Sequence, residues 1–159
     1  MNSPQPPFAT IPQPHPDGTL QVTVTYLQMT RPPTSSLRRS RADDLTILRA
    51  REPTVAFYRF LYNHVGEPWL WYERRALADD ALAAILNDSK VHVYVLYRSG
   101  VPAGYVELDY RVSDEVELAY FGLFPEKTGM GLGPWLLGWA VETAWASGPS
   151  RLIVNTCNL

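Results

Sequence analysis

The stretch Phe121 to Leu137, FGLFPEKTGMGLGPWLL, runs from an apolar segment through a proline into Gly129, Gly131 and Gly133, then directly into a helical pattern. A helix start exposes unpaired N–H donors at the positive end of its dipole, and glycines remove the side chains that would hold phosphate oxygens away. Three alternate glycines at such a junction suit a pyrophosphate; the alternative is a turn used only for tight packing. Four residues before Phe121 stands Glu117. A carboxylate there can take a proton from a nucleophile, directly or through one water, or it can sit on the polar face of a sheet paired with a neighbouring strand. Gly122, just beyond, permits close backbone approach to a ligand or else marks a bulge.

Tyr62, Trp69, Trp71 and Tyr72 crowd one segment together with Glu67 and Glu73. Aromatic faces can hold a cation and the two carboxylates can attract an amine, although aromatics at such spacing also serve as core residues. Glu115, Glu107 and Asp109 lie on nearby strands as weaker candidate acids or bases, and His92 shares their hairpin. His64, on an apolar helical stripe, reads as a core histidine. Cys157 has no matched His and Asp partners for acyl transfer and is expected to be buried.

These groups need a frame. Leu20 to Gln28 alternates, with Val22, Val24 and Tyr26 on one face, as a half-buried strand does. From Arg31 to Arg51 six basic residues and Pro32-Pro33 mark a surface loop, an anionic-ligand patch or simply solvated, that leads to a short strand at Leu45 to Arg49. Pro53 opens a helix carrying Phe57, Phe60, Leu61 and His64, which Gly66 and Pro68 stop. A second helix is expected over about residues 78–87, burying Leu82, Ile85 and Leu86. Period-2 patterns through Val91 to Tyr97, Val106 to Tyr110 and Val116 to Tyr120, separated by Ser99-Gly100 and Ser113-Asp114, predict a three-strand meander. On this pattern Glu117 shares a face with Ala119 and Phe121. A third helix from Pro134 presents Leu137, Val141, Ala144 and Trp145 as its apolar stripe; Gly148-Pro149 ends it, and Arg151 to Thr156 forms a last short strand. The order predicts an α+β fold.

With 159 residues, 46% apolar and 19% charged, the chain can bury a core as one domain, residues 20–159, behind a flexible Pro-rich tail over residues 1–19. A formal charge of -2 gives no reason to expect nucleic acid, and no apolar run is long enough to cross a membrane. One cysteine and three scattered histidines argue for a reducing, cytoplasmic setting without a structural metal. Two familiar phosphate binders fit poorly. The strands before the glycines are antiparallel neighbours and their spacing is G-x-G-x-G, unlike a dinucleotide fingerprint, and no Gly-Lys-Ser/Thr follows for a nucleotide P-loop.

The residues resemble the GNAT N-acetyltransferase superfamily, whose acetyl-CoA signature is Arg or Gln, two residues, Gly, one residue, then Gly or Ala at a helix start. Thr128, Gly129, Met130, Gly131, Leu132 and Gly133 fall in register with it, after a Pro125-Glu126 that many members carry. Thr128 replaces the signature's Arg or Gln, and Met130 lacks the basic side chain often found there. FYRFLY (Phe57 to Tyr62), EPWLWYERR (Glu67 to Arg75) and VNTC (Val154 to Cys157) look closest to a bacterial subgroup. The resemblance implies a GNAT-like, mostly antiparallel mixed sheet with helices on both faces. It implies acetyl-CoA as co-substrate, with Phe121, Gly122 and Leu123 along the pantetheine, residues 128–133 and Asn155 in the cofactor site, and Glu117 as base. The acceptor implied is a primary amine of a small molecule or peptide, bordered by Tyr62, Trp69, Trp71 and Tyr72, attacking directly in a ternary complex. An acyl-CoA-binding regulatory module without turnover, and a nucleotide-binding module, are the rival readings. In the family a further helix and two strands follow the strand matching Arg151 to Thr156. The domain is therefore expected to be C-terminally incomplete, with strands and helix faces left uncovered, so that the chain is either a truncated or proteolysed piece or one completed by a partner chain, such as a second copy in a homodimer.

Overall fold

The computed structural model describes residues 13–34 and 44–159. The first twelve residues of the expected tail, and Arg38, Arg39 and Arg41 of the basic loop, lie outside the described residues. Among the described residues, no helix is long and apolar enough to cross a membrane.

Six strands form one sheet: β1 (Val24–Met29), β2 (Leu45–Ala50), β3 (Val91–Arg98), β4 (Val101–Asp109), β5 (Glu115–Leu123) and β6 (Arg151–Cys157). Their spatial order is β1-β6-β5-β4-β3-β2, and every neighbouring pair is antiparallel except β5 with β6. Four helices complete the α+β fold: α1 (Val55–Gly66), α2 (Glu73–Ala76), α3 (Asp79–Leu86) and α4 (Leu132–Trp145). The expected mixed sheet with helices on both faces is the observed architecture. The meander is as the period predicts, and Ser99 and Gly100 both take positive φ (50° and 81°), as a two-residue hairpin turn with the strands' own twist requires.

Two apolar clusters hold the layers. On one face Leu132, Trp135, Leu136, Ala140 and Ala144 of α4 pack on Leu96, Val106, Leu108, Val116 and Leu118. On the other Tyr58, Leu61, Tyr62 and Val65 of α1, with Leu82 and Leu86 of α3, pack on Val93, Val95 and Tyr105. The α1 stripe is shifted from expectation. Phe60 is 46% exposed, and His64 lies at the surface beside Glu126 (3.3 Å), not in the core. Both candidate stripes are largely apolar, and the buried one is that of Tyr58, Leu61, Tyr62 and Val65, whose two tyrosines and two branched side chains meet the sheet. Likewise α4 begins at Leu132, two residues before Pro134, and Leu137 is 40% exposed while Leu132, Trp135 and Leu136 are buried.

Two further expectations are corrected at the β1 side. β1 starts at Val24, and all of it except Met29, whose sulfur accepts from the Trp145 indole of α4, is exposed, with Tyr26 at 80%. The outer edge of β6 pairs with β1 over residues 152–157, from Val24 opposite Cys157 to Met29 opposite Leu152. Cys157, at that edge, is exposed and not buried.

Candidate active site

Phe124 leaves β5 into a short 3-10 turn, Pro125–Lys127, and the chain then passes through Thr128 into the glycines. Gly129 and Gly131 have φ of 75° and 73°, left-handed values that a side chain at either position would strain, and a Cβ on either would meet open space. The glycines are thus required by backbone conformation, not by crowding. Alternation of left-handed glycines with other residues turns successive N–H groups toward one side, and Gly131 is the uncapped N-cap of α4. No side chain of residues 128–133 is basic, but Arg98 at the end of β3 reaches the loop: its Nη1 stands 3.0 Å from the Met130 Sδ while its Nε donates to Asp44 at 2.8 Å. Arg98 lies thirty residues from the loop in sequence, and no local pattern marks it.

The strand that feeds this loop is irregular where the chemistry would lie. Across β4 and β5, Leu108 opposes Leu118 but Glu107 opposes Tyr120, so Ala119 is an extra, bulged residue. The bulge shifts the alternation. Val116 and Leu118 face α4 as do Phe121 and Leu123, whereas Tyr120 faces α1. Glu117 therefore shares its face with Tyr120 and Gly122, not with Ala119 and Phe121 as strict alternation had it. Gly122 is not the bulge; it is small because a Cβ there would lie 2.2 Å from Cγ1 of Val65 on α1.

β5 and β6 pair only over Glu115–Glu117 with Arg151–Ile153, and past Glu117 the two parallel strands separate. Residues 118–123 of β5 therefore have no strand partner on that side, and their backbone groups border a cleft that leads to the glycine loop. Asn155 of β6 stands across the point of parting, its Nδ2 donating toward the Glu117 carboxylate at 3.4 Å.

Glu117 lines a cavity of about 280 Å³ with Asp109, Arg111, Val112 and Glu115. Asp109 is paired with Arg111 at 2.6 Å and Glu115 with Arg151, while Glu117 makes no ion pair among the described residues. Burial raises the Glu117 carboxyl above its usual range, and the charges of Asp109, Glu115 and Glu107 raise it further. Burial also pushes Asp109 up, but the hydrogen bonds from Arg111 outweigh it and hold Asp109 low. Glu117 thus holds its proton more tightly than an ordinary glutamate, as a group that takes up a proton in a reaction must.

Of the four aromatics in the crowded segment, two pack together against β5. Tyr62 and Trp71 form a triangle with Tyr120, with ring centroids 5.1 to 5.3 Å apart. Trp71 reaches it because the segment folds back over Gly66, where any Cβ would collide with the indole. Trp69 (53%) and Tyr72 (70%) are exposed outside that triangle. Two residues of this region, Arg74 and Tyr120, escape a reading by sequence pattern, and they gather around Glu107, a weaker candidate acid or base in the sequence. Glu107 is completely buried, accepts from the Tyr58 hydroxyl and pairs with Arg74 Nη2 at 2.5 Å. Tyr120 lies 5.2 Å beneath the Arg74 guanidinium and donates to Glu73 at 2.6 Å. A signal was present in Tyr105-Glu107-Asp109, an inward row on a strand whose polar members need buried partners. His92 is engaged elsewhere, with Tyr94 and the Ser89 carbonyl.

A bulged strand parting from its parallel neighbour opposite a glycine-rich helix start is an arrangement for an extended phosphate-bearing ligand, and the family model confirms the class. Residues 44–159 match the acetyltransferase (GNAT) family, and the chain belongs to that family. No curated protein sequence matches it. Among solved structures, it is similar to an aminoglycoside acetyltransferase from an uncultured soil metagenomic sample, at 14% identity and TM-score 0.56, over 70% of this chain and 77% of that one. It is similar to a GCN5-related N-acetyltransferase from Kribbella flavida, at 15% identity and TM-score 0.55, over 85% of this chain but 50% of that one. An aminoglycoside N-acetyltransferase solved in complex with CoA is similar at 19% identity and TM-score 0.51, over 73% of this chain and 79% of that one. At these identities the likeness is one of fold.

Proposed function

We propose that this chain transfers the acetyl group of acetyl-CoA to a primary amine of a small molecule or peptide, by direct attack within a ternary complex. The observation that carries the reading is the separation of β5 from β6 just past Glu117, which leads to the left-handed glycines before α4. In this reading the backbone N–H groups of residues 128–133, from Thr128, Gly129, Met130, Gly131, Leu132 and Gly133, hold the pyrophosphate. Arg98 supplies the positive charge that Thr128 and Met130 lack. Phe121, Gly122 and Leu123 offer unpaired backbone to the pantetheine arm, and a backbone N–H of the same stretch stabilises the oxyanion that develops on the thioester carbonyl. Asn155, tied to Glu117, lines the opposite wall.

Glu117 accepts the proton of the attacking ammonium, directly or through one water in the adjoining cavity, so that a neutral amine meets the thioester carbon. The C–N bond forms and the C–S bond breaks, and the second proton shed by the new amide nitrogen passes to the departing thiolate, so that CoA leaves as the thiol. Tyr62 and Trp71 wall the acceptor side, with Trp69 and Tyr72 exposed at its rim. A cytoplasmic place of action belongs to this reading, on the strength of a single unpaired cysteine in the sequence. The test is thiol release from acetyl-CoA across a panel of primary amines. Amine-dependent release supports the reading. Thermal stabilisation by CoA with no release across the panel would favour a CoA-binding module, and preferential stabilisation by NAD or ATP would overturn the CoA site.

A further inference from the structure

Arg74 is held as a ligand would be held. Its guanidinium pairs with the completely buried Glu107, lies over the Tyr120 ring, and stands beside the triangle that Tyr120 makes with Tyr62 and Trp71. Aromatic faces around a buried carboxylate are the chemistry of a cation site. The fit is incomplete: Arg74 Nε is buried without a hydrogen-bond partner. So is the hydroxyl of Tyr105, a fully buried residue whose ring packs edge-on against Tyr58 and within 6.5 Å of Trp71. Two orphan buried donors beside one carboxylate are not what a purely structural ion pair needs. Arg74 comes from α2, only four residues long, and its side chain, 12% exposed, is the one member of the pair that reaches solvent.

We infer that Glu107, Tyr58, Tyr62, Trp71 and Tyr120 form a cation subsite for the acceptor, which Arg74 fills as an internal stand-in when no acceptor is bound. As an acceptor subsite it rests on the acetyltransferase reading. A cation paired to a buried carboxylate is stabilised in its charged form and is a poor nucleophile, so this subsite anchors and does not react. The reacting nitrogen is a second one, near Glu117. Because Glu107 opposes Tyr120 and Glu117 opposes Asp109, the two carboxylates are diagonal neighbours on adjacent strands, about 7–8 Å apart and somewhat closer at Cβ. The acceptor class is therefore a molecule with two basic nitrogens at a comparable spacing, such as a diamine with a four- or five-carbon spacer or a basic peptide.

The probes are ethylguanidinium and 1,5-diaminopentane, with sodium chloride at equal ionic strength as control. Arg74→Met, which keeps the apolar stem and removes the charge, is expected to melt lower than the parent protein and to recover about half of that loss with either probe. The added substitution Glu107→Gln is expected to abolish the recovery. Arg74→Lys, which leaves a cation in place, is expected to respond less than Arg74→Met and serves if the latter fails to fold. No recovery beyond the salt control, or an equal response from both variants, would show that Arg74–Glu107 is a fixed strut and overturn the inference. Thiol release from acetyl-CoA is then compared for 1,5-diaminopentane and pentylamine. A preference of at least about tenfold for the diamine that Glu107→Gln erases upholds the assignment, and equal rates overturn it. Recovery of melting temperature without thiol release from any amine leaves the cation subsite standing and removes the acetyltransferase reading. Thiol release without recovery does the reverse.

Discussion

The Asn155 amide and the Glu117 carboxylate, 3.4 Å apart, bridge β6 and β5 just past the last residues at which the two strands pair. The one cavity carboxylate without an ion pair among the described residues is thus placed at the apex of the cleft with a neutral hydrogen-bond donor, while Arg111 of the same cavity is paired with Asp109. Such a carboxylate is positioned and remains basic. The chemistry proposed for the chain follows from that pairing of geometry and protonation.

Replacing Glu117 by Gln is expected to lower amine-dependent turnover by about 10²- to 10⁴-fold. It is also expected to remove the acidic limb of the kcat/KM profile, which in the parent protein falls below the raised Glu117 value. Retention of that limb in Glu117→Gln would assign the base elsewhere.

The same group makes a stability prediction of definite sign. Because burial and neighbouring carboxylates raise Glu117 in the folded state, the folded chain holds a proton that the unfolded chain has released. Stability is lost as pH rises from the ordinary glutamate range through the raised value. Denaturant titrations between pH 4 and pH 8 should show a shallower loss in Glu117→Gln than in the parent protein, and parallel curves would contradict the raised value.

Period-2 alternation made the meander over residues 91–123 readable, and the glycine loop was recognisable from Gly129, Gly131 and Gly133. The bulge at Ala119 was not, because an extra residue leaves local composition unchanged and appears only in the register against Glu107 and Leu108. The face of α1 was ambiguous for a different reason: Phe57, Phe60 and His64 form as good a stripe as Tyr58, Leu61, Tyr62 and Val65, and only contact with the sheet decides. Arg74 and Glu107 are 33 residues apart, on a four-residue helix and a strand, so neither reveals the other before the chain is folded.

Gly122→Ala is expected to destabilise the fold by about 1–3 kcal/mol, since the new Cβ would lie 2.2 Å from Val65 Cγ1. Val65→Ala removes that methyl. The double variant should therefore be more stable than the sum of the two single losses, a coupling read from chemical denaturation. Strict additivity would place the strain elsewhere.

Arg98→Gln is expected to weaken CoA binding about tenfold, the effect of losing one charge-assisted contact to phosphate. Thr128→Arg in the same background should recover part of it, by returning a basic residue to the loop. Calorimetric titration with CoA checks both, and unaltered affinity in Arg98→Gln would remove Arg98 from the site.

A crystal structure with CoA tests the central claim most directly. The account predicts the pyrophosphate on the N–H groups of residues 128–133 and the pantetheine alongside Phe121–Leu123, between β5 and β6, with its sulfur toward Glu117 and Asn155. CoA bound away from this cleft, or a cleft closed by continuous pairing of β5 with β6, would contradict it.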